Sequence, residues 1–462
     1  MSTLSIHNPA TGALIAEVPT DNETSVAQKA QAARSAQPAW AATPLAERKH
    51  CIERFRAEVV AEIDTLAATL TAEVGKPIKQ SRSELTGLLG RIDYFLAEVE
   101  RAVAAEDFFS DTQGPGQTHE RISHEPLGVV ANISAWNYPY YVGGNVFIPA
   151  LLTGNAVLYK PSEYATLTGL HIARLLHGSG VPGDVFTTLV GGASVGTALA
   201  EQRIDGLFFT GSHATGMRIV STLGSRLVKL QLELGGKDPT YVRADADVSA
   251  AAEALADGAM YNTGQSCCSV ERIYVHEAVH DQFVEHFLRT VAGFKVGSPA
   301  SEDTYIGAIT RSVQLDVLEA QVADALAKGA TLRCGGTRLP GPGSSFAPTV
   351  LTGVDHRMEL MREESFGPLI GIQKVGSDDE AVALMNDTRY GLTAGVFSRS
   401  EAAARELLGR VNAGTVYWNC CDRVSPRLPW SGHGDSGIGL TLSAQGISTF
   451  TRPKAWHLRQ PG

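Results

Sequence analysis

The stretch Asn262-Thr263-Gly264-Gln265-Ser266-Cys267-Cys268 sets a thiol just beyond a glycine that closes an alanine-rich helical segment. On such a turn, beside a following strand, a thiol can face a cleft instead of a core. A free thiol ionises near ~8.5, so a nucleophilic cysteine needs backbone N–H groups or positive charge that favour its thiolate. A buried structural cysteine is the competing reading of any single thiol. Leu232-Glu233-Leu234-Gly235-Gly236-Lys237 places a carboxylate among apolar neighbours, immediately before a double glycine. Desolvation there would raise its pKa to suit a base that activates water, the alternative being a strand-end salt bridge. Phe209-Thr210-Gly211-Ser212 ends a strand and opens a helix that includes Gly216, a junction whose free N–H groups suit an anion such as a pyrophosphate. Tyr159-Lys160-Pro161-Ser162-Glu163 follows another strand, where a lysine and a glutamate could hold ribose hydroxyls.

One familiar string carries no chemistry. His276-Glu277-Ala278-Val279-His280 matches the zinc-protease pattern, which requires both histidines on one helical face. Residues 272–275 are strand-like and run straight into His276, the next helix buries Val279, Phe283 and Phe287, and there is no convincing third ligand. No metal site is expected.

Positioning these groups takes alternating strands and helices. Residues 26–40 and 45–70 show helical apolar spacing with charged residues on the other side. Gly114-Pro115-Gly116 marks a loop or boundary. Beyond it, 129–134, 156–159 and 207–209 read as buried strands, with helices at 166–177 and 195–201 between them. A second set follows Gly264: a strand at 272–275, helices at 278–294 and 314–328, and strands at 394–397 and 415–419. Such alternation implies an α/β fold with parallel sheets covered on both faces, here two domains with a site between them.

Composition agrees. At roughly 150 residues per domain, 462 residues suggest about three domains, or two large ones and an appendage. With 44% hydrophobic and 19% charged residues the chain can bury a large core. A net charge of −10 without a lysine-arginine block argues against nucleic acid. Residues 126–159 lack charge but are interrupted by Asn132, Asn137, Pro139, Gly143, Gly144, Asn145, Pro149 and Gly154, which fits strand, loop, helix and strand and not a membrane span. The six cysteines include two adjacent pairs, a poor disulfide framework and a sign of reduced thiols. The opening MSTLSIHNPATG lacks a basic-then-apolar signal region, so a cytoplasmic location is expected.

Taken together, the motifs resemble the aldehyde dehydrogenase superfamily over essentially the whole chain. The matching segments come in that family's order: Ala135-Trp136-Asn137-Tyr138-Pro139, Lys160-Pro161-Ser162-Glu163, Phe209-Thr210-Gly211-Ser212, Glu233-Leu234-Gly235-Gly236-Lys237, Gly264-Gln265-Ser266-Cys267 and Glu363-Glu364-Ser365-Phe366-Gly367-Pro368. The resemblance implies a Rossmann-like NAD(P)-binding domain (residues 1–103 and 127–235), an α/β catalytic domain (236–435) and a small β oligomerisation element (104–126 and 436–462). That element is built from a hairpin near Gly114 to Arg121 and a carboxy-terminal strand at about 449–457, and it implies a homodimer or homotetramer.

The resemblance also implies roles. Cys267 would attack the aldehyde, with the Asn137 amide and its own backbone N–H as oxyanion donors, each such donor worth ~10²–10³ in rate. Glu233 would activate the water that releases the acid, which favours hydrolysis over acyl transfer to coenzyme A. Glu364 and Phe366 match the residues that hold the nicotinamide ribose and ring, while Trp136, Lys160, Glu163, Ser212 and Gly216 match adenosine and pyrophosphate contacts. Glu163 would repel a ribose 2′-phosphate, favouring NAD, although Lys160 could offset it and leave NADP possible. Cys268 competes as nucleophile, but Gln265 stands two before Cys267, as in the family.

For the substrate, Tyr138, Tyr141 and Trp430 match positions lining the family's tunnel, with Cys421 and Val424 from the preceding loop. Semialdehyde-type relatives often carry an arginine where this chain has Asn145, and relatives acting on phosphorylated glyceraldehyde tend to have one at the Ser266 position. Aromatic walls with few charges suit an apolar or aromatic aldehyde. The alternatives are a semialdehyde such as succinate semialdehyde, with Arg423 as a candidate for its carboxylate, or a catalytically silent relative. The tail Gly437-Ile438-Gly439-Leu440 departs from the family's usual sequence.

Overall fold

The computed structural model describes residues 2–111 and 116–461. Gly114 and Pro115 lie outside the described residues, while Gly116 stands in a turn. Among the described residues no helix is long and apolar enough to cross a membrane.

Three sheets organise the site. The first is six-stranded, in the spatial order Gly437–Ile438, Lys229–Glu233, Gly206–Thr210, Val129–Ile133, Ala156–Lys160, Phe186–Thr188. Its first strand is antiparallel and the remaining pairs are parallel. Val129–Ile133 is buried throughout, as are its neighbours Ala156–Lys160 and most of Gly206–Thr210, so these strands read as continuous apolar runs without alternation. The chain leaves Val129–Ile133 towards Ala156–Lys160 on one side and later returns to Gly206–Thr210 on the other. The sheet thus has a switch point, where an open α/β sheet binds ligands beyond the carboxyl ends of its strands.

The second sheet has seven strands, in the order Thr331–Cys334, Thr349–Thr352, Leu369–Val375, Val270–His276, Asp238–Val242, Thr393–Phe397, Thr415–Trp418, parallel except for the first pair. The third is an antiparallel sheet of Thr451–Arg459, Thr118–Pro126 and Glu106–Asp111. The tail 436–462 is therefore shared: Gly437–Ile438 extends the first sheet, Ser443–Ser448 forms a short helix, and Thr451–Arg459 alone joins the third sheet.

Two expected elements change. The helical pattern of 45–70 is carried by two helices, Leu45–Ala61 and Ile63–Val74, because Glu62 leaves helical geometry (φ −110°, ψ 14°). The apolar period runs on across the break, so spacing alone conceals it; the Glu62 carboxylate meets Arg174 at 2.5 Å. The alanine-rich helix ends at Met260, short of Gly264, and Asn262, Thr263 and Gly264 all take positive φ. Three successive left-handed residues turn the chain sharply towards Cys267. Gly264 is required there, since a Cβ would lie 2.1 Å from the Gly367 carbonyl oxygen.

His276 closes the strand Val270–His276 and His280 opens the helix His280–Ala292, so the two histidines occupy different elements.

Candidate active site

The carboxyl ends of the first sheet converge on one cavity of about 570 Å³. Ser134 to Asn137 enter it from the strand Val129–Ile133, Lys160, Ser162, Glu163 and Tyr164 from Ala156–Lys160, Thr210 to Ser212 from Gly206–Thr210, and Glu233 to Gly235 from Lys229–Glu233. Across the opening the second sheet contributes Cys267, Glu364 and Phe366. A second cavity of similar size is walled by Tyr138, Tyr141, Tyr261, Val424 and Trp430, and Cys267 lines this one too. Cys267 is the thiol where the two cavities meet.

The loop that presents it is held by side chains spread over the sequence. Gln80 Oε1 accepts from Asn262 N at 2.9 Å, Gln265 Oε1 accepts from Thr310 N at 2.9 Å, and Asn262 Nδ2 donates to the Gln265 and Asn137 carbonyls at 3.0 and 3.2 Å. Asn137 is 4% exposed and gives one amide hydrogen to the Gln265 carbonyl at 3.2 Å, which leaves the second for the cavity it lines. The Cys267 backbone N–H has no partner among the described residues. Cys268, by contrast, is buried and its thiol donates to Asp422 Oδ1 at 2.9 Å. Its hydrogen bond with Cys267, burial and the Asp422 charge all push its pKa well up, so it is held as a thiol.

Glu233 ends its strand inside the first cavity, fully buried. Burial raises its pKa to about 8, against the lowering influence of the Trp430 indole N–H, which donates to Oε2. Oε1 is buried without a hydrogen-bond partner, so both of its lone pairs are unused by the protein.

Glu364 and Phe366 sit on a loop anchored from below. Glu271 accepts from the Ser365 and Phe366 N–H groups at 2.9 and 3.0 Å and pairs with Lys237, which also donates to Ser365 Oγ at 3.0 Å. Burial raises Glu364 to about 8, and one of its oxygens accepts from Gly236 N at 3.2 Å. Phe366 meets the Trp136 ring edge-on, centroids 5.5 Å apart. At the other end Lys160 is nearly sealed in, its pKa lowered by burial, its ammonium 3.2 Å from the Pro161 carbonyl and 3.9 Å from Glu163. Ser212 caps the helix His213–Leu223 by accepting from Thr215 N. Gly216 does not reach the cavity wall; it lets that helix approach Leu234, whose Cδ2 a Cβ would meet at 2.9 Å.

A dinucleotide fits this first cavity. A sparsely paired buried ammonium, a capped helix N-terminus at the strand ends and two carboxylates near the far end match an anionic bridge between two riboses.

The expected tunnel residues Tyr138, Tyr141, Val424 and Trp430 do line the second cavity. Cys421 does not. It packs into the core beneath, donating to the Ala254 carbonyl at 3.3 Å beside Gly258, and burial pushes its thiol up to about 12. The turn sends alternate side chains to opposite sides, so Asp422 takes the place at the cavity. The sequence also gave no sign of Arg91, which enters from the helix Ile78–Ala102 and donates to Asn145 Oδ1 at 2.8 Å.

The model of the aldehyde dehydrogenase family matches residues 1–456. A protein of Mycolicibacterium smegmatis provisionally named as a succinate-semialdehyde dehydrogenase (NADP+) is 37% identical over 448 residues, covering 96% of this chain and 86% of its own. The 3,6-anhydro-alpha-L-galactose dehydrogenase of Streptomyces coelicolor is 34% identical, covering 99% and 93%. The crystal structure of an NAD-dependent aldehyde dehydrogenase from Sinorhizobium meliloti superposes with a TM-score of 0.95 at 32% identity, over 100% of this chain and 92% of that one. With this site at the switch point of a Rossmann-like sheet and a family match over nearly its whole length, the chain belongs to the aldehyde dehydrogenase family.

Proposed function

We propose the residue roles by which this chain, an NAD(P)-dependent oxidoreductase of the aldehyde dehydrogenase family, converts an aldehyde to its acid. We propose that Cys267 is its nucleophile, Glu233 its general base and Asn137 its oxyanion donor. The observation that carries the assignment is that Cys267 alone among the thiols lines both cavities. A sulfur there can meet an aldehyde arriving through the aromatic-walled cavity while a nicotinamide lies on the other side. Attack forms a C–S bond and an alkoxide, which the spare Asn137 amide hydrogen and the Cys267 N–H stabilise. Trp136, Lys160, Glu163, Ser212, Glu364 and Phe366 would hold the dinucleotide, with Gly216 setting the helix beside it. When bound, NAD(P) supplies the acceptor for the hydride that converts the adduct to a thioester. Glu233 then takes a proton from water as the water attacks the thioester carbonyl, and the thiolate leaves with the acid released. Glu163 beside Lys160 supports NAD over NADP, because a carboxylate there repels a 2′-phosphate.

The aromatic walls support an aldehyde with an apolar or aromatic body. A semialdehyde is the second reading, favoured by the buried Arg91. The domain partition expected from the sequence is proposed with one refinement, an oligomerisation arm limited on the tail side to Thr451–Arg459; exposed Trp456 and Leu458 on that strand, and Phe108 and Phe109 on the strand across Thr118–Pro126, support a homodimer or homotetramer. Six free cysteines support the reducing cytoplasm.

Mixing enzyme, NAD and an aldehyde panel and following NADH tests the assignment. Cys267→Ala is expected to abolish NADH formation. Glu233→Gln is expected to give a burst of NADH and then stall at the thioester. Normal steady turnover in the glutamine variant would remove Glu233 from the base role.

A further inference from the structure

The helix Thr166–Gly178 has no side-chain cap of its own, since its N-cap residue is Ala165. Glu73, from the helix Ile63–Val74 and only 2% exposed, supplies one. Its oxygens accept from Leu167 N at 2.6 Å and from Thr168 N and Oγ1 at 2.7 Å. A carboxylate at a helix N-terminus gains from both the hydrogen bonds and the helix dipole. That helix follows directly on the cavity residues Lys160, Ser162, Glu163 and Tyr164. It also lies hard against their loop: a Cβ on Gly169 would sit 2.5 Å from Pro161 Cβ. A shift of the helix therefore shifts the loop.

Further along the chain, Gln80 holds the nucleophile turn in a similar way. It is buried in the helix Ile78–Ala102, where Oε1 accepts from Asn262 N at 2.9 Å and Nε2 donates to the Tyr305 carbonyl at 3.0 Å. Asn262 opens the left-handed run before Cys267, and its amide also binds the Asn137 and Gln265 carbonyls. A non-glycine residue in that conformation persists only where its surroundings hold it. Between Glu73 and Gln80, Gly75 takes φ +75° and brings its carbonyl to Ala308 N at 3.0 Å. The Val74 carbonyl accepts from Thr310 Oγ1 at 2.5 Å, and Thr310 N in turn donates to Gln265 Oε1. The turn Gly75-Lys76-Pro77 is thus tied to the dinucleotide loop on one side and the thiol's turn on the other.

We infer that Glu73 and Gln80 are positioning residues which, from either side of this turn, set the dinucleotide loop and the nucleophile turn in register with each other. The inference rests on the proposed roles of Cys267 and of the loop at 160–164. Neither side chain takes part in the chemistry: Glu73 acts through the helix it caps, and Gln80 through Asn262. Their contacts are separate, so each governs its own step.

Three measurements on the full chain separate them: NADH binding by fluorescence titration, the rate of Cys267 alkylation by iodoacetamide, and the NADH burst with NAD and an aldehyde the wild type oxidises. Glu73→Gln leaves one acceptor oxygen for three donors. It is expected to raise the NADH Kd about tenfold, with alkylation within about threefold of the wild type. Gln80→Met is expected to slow the burst and alkylation about 10–100-fold, with the NADH Kd within about threefold, since a misplacement of about 1 Å costs that much. Either variant matching the wild type in its own measurement overturns the inference. So does an equal loss of binding and alkylation in both variants, the mark of general loosening. If either variant fails to fold, Glu73→Asp or Gln80→Asn, each one methylene short of its partners, is judged by the same criteria. A wild type that makes no NADH from any aldehyde overturns instead the assignment of Cys267, and the binding and alkylation measurements still decide the positioning roles.

Discussion

At the scale of single residues, the proposed base Glu233 is governed by its surroundings. Glu233 is placed in apolar burial that raises it to about 8, while the indole N–H of Trp430 works in the opposite sense. A general base acts when deprotonated, so thioester hydrolysis is expected to rise with pH and level off above about 8. Trp430→Phe removes the donor and keeps the aromatic wall. The inflection of the pH–kcat profile is then expected to move to higher pH, with the rate at neutral pH falling about tenfold for each unit of displacement. An unmoved inflection would make Trp430 a wall and nothing more. The Glu233 carboxylate was legible in the sequence from its apolar flanks and double glycine. Its indole partner was not, because the two lie nearly two hundred positions apart.

Elements, next, act by holding loops. The segment carrying Glu364 and Phe366 has little regular structure of its own and hangs from the buried Glu271, itself neutralised by Lys237. Breaking a buried pair by removing one partner typically costs about 3–5 kcal/mol. Lys237→Met is therefore expected to lower the urea midpoint by a corresponding amount and to raise the KM for the dinucleotide. An unaltered KM in a folded variant would show that the loop is held by other means. Lys237 was visible within its motif, but its task was not. Motif recognition marks where a residue stands in the chain, whereas the burial of its ammonium depends on strands that meet only in the sheet.

For the whole molecule, the exposed apolar side chains of the third sheet are the feature a single chain leaves unsatisfied. Phe108 is 63% exposed and Leu458 46%. Exposed apolar side chains of this kind are what the proposed oligomer interface would cover. Leu458→Asp together with Trp456→Asp is expected to lower the assembly size seen by light scattering after gel filtration. Retention of the wild-type mass would place the interface elsewhere.

From the amino-acid order alone came the alternation of strands and helices, the motifs that carry the proposed roles of Cys267, Glu233, Asn137 and the dinucleotide-facing residues, and the family they resemble. These are local: a period, a strand end, a glycine turn and a short motif all lie within a few residues of one another. Folding in three dimensions set which thiol reaches both cavities, turned Cys421 into the core while Asp422 faces the cavity, and brought Arg91 of another helix against Asn145. The physical reason is that burial and pairing depend on neighbours distant in the chain, and a charge on one helix gains its meaning only from the side chains that another helix brings against it.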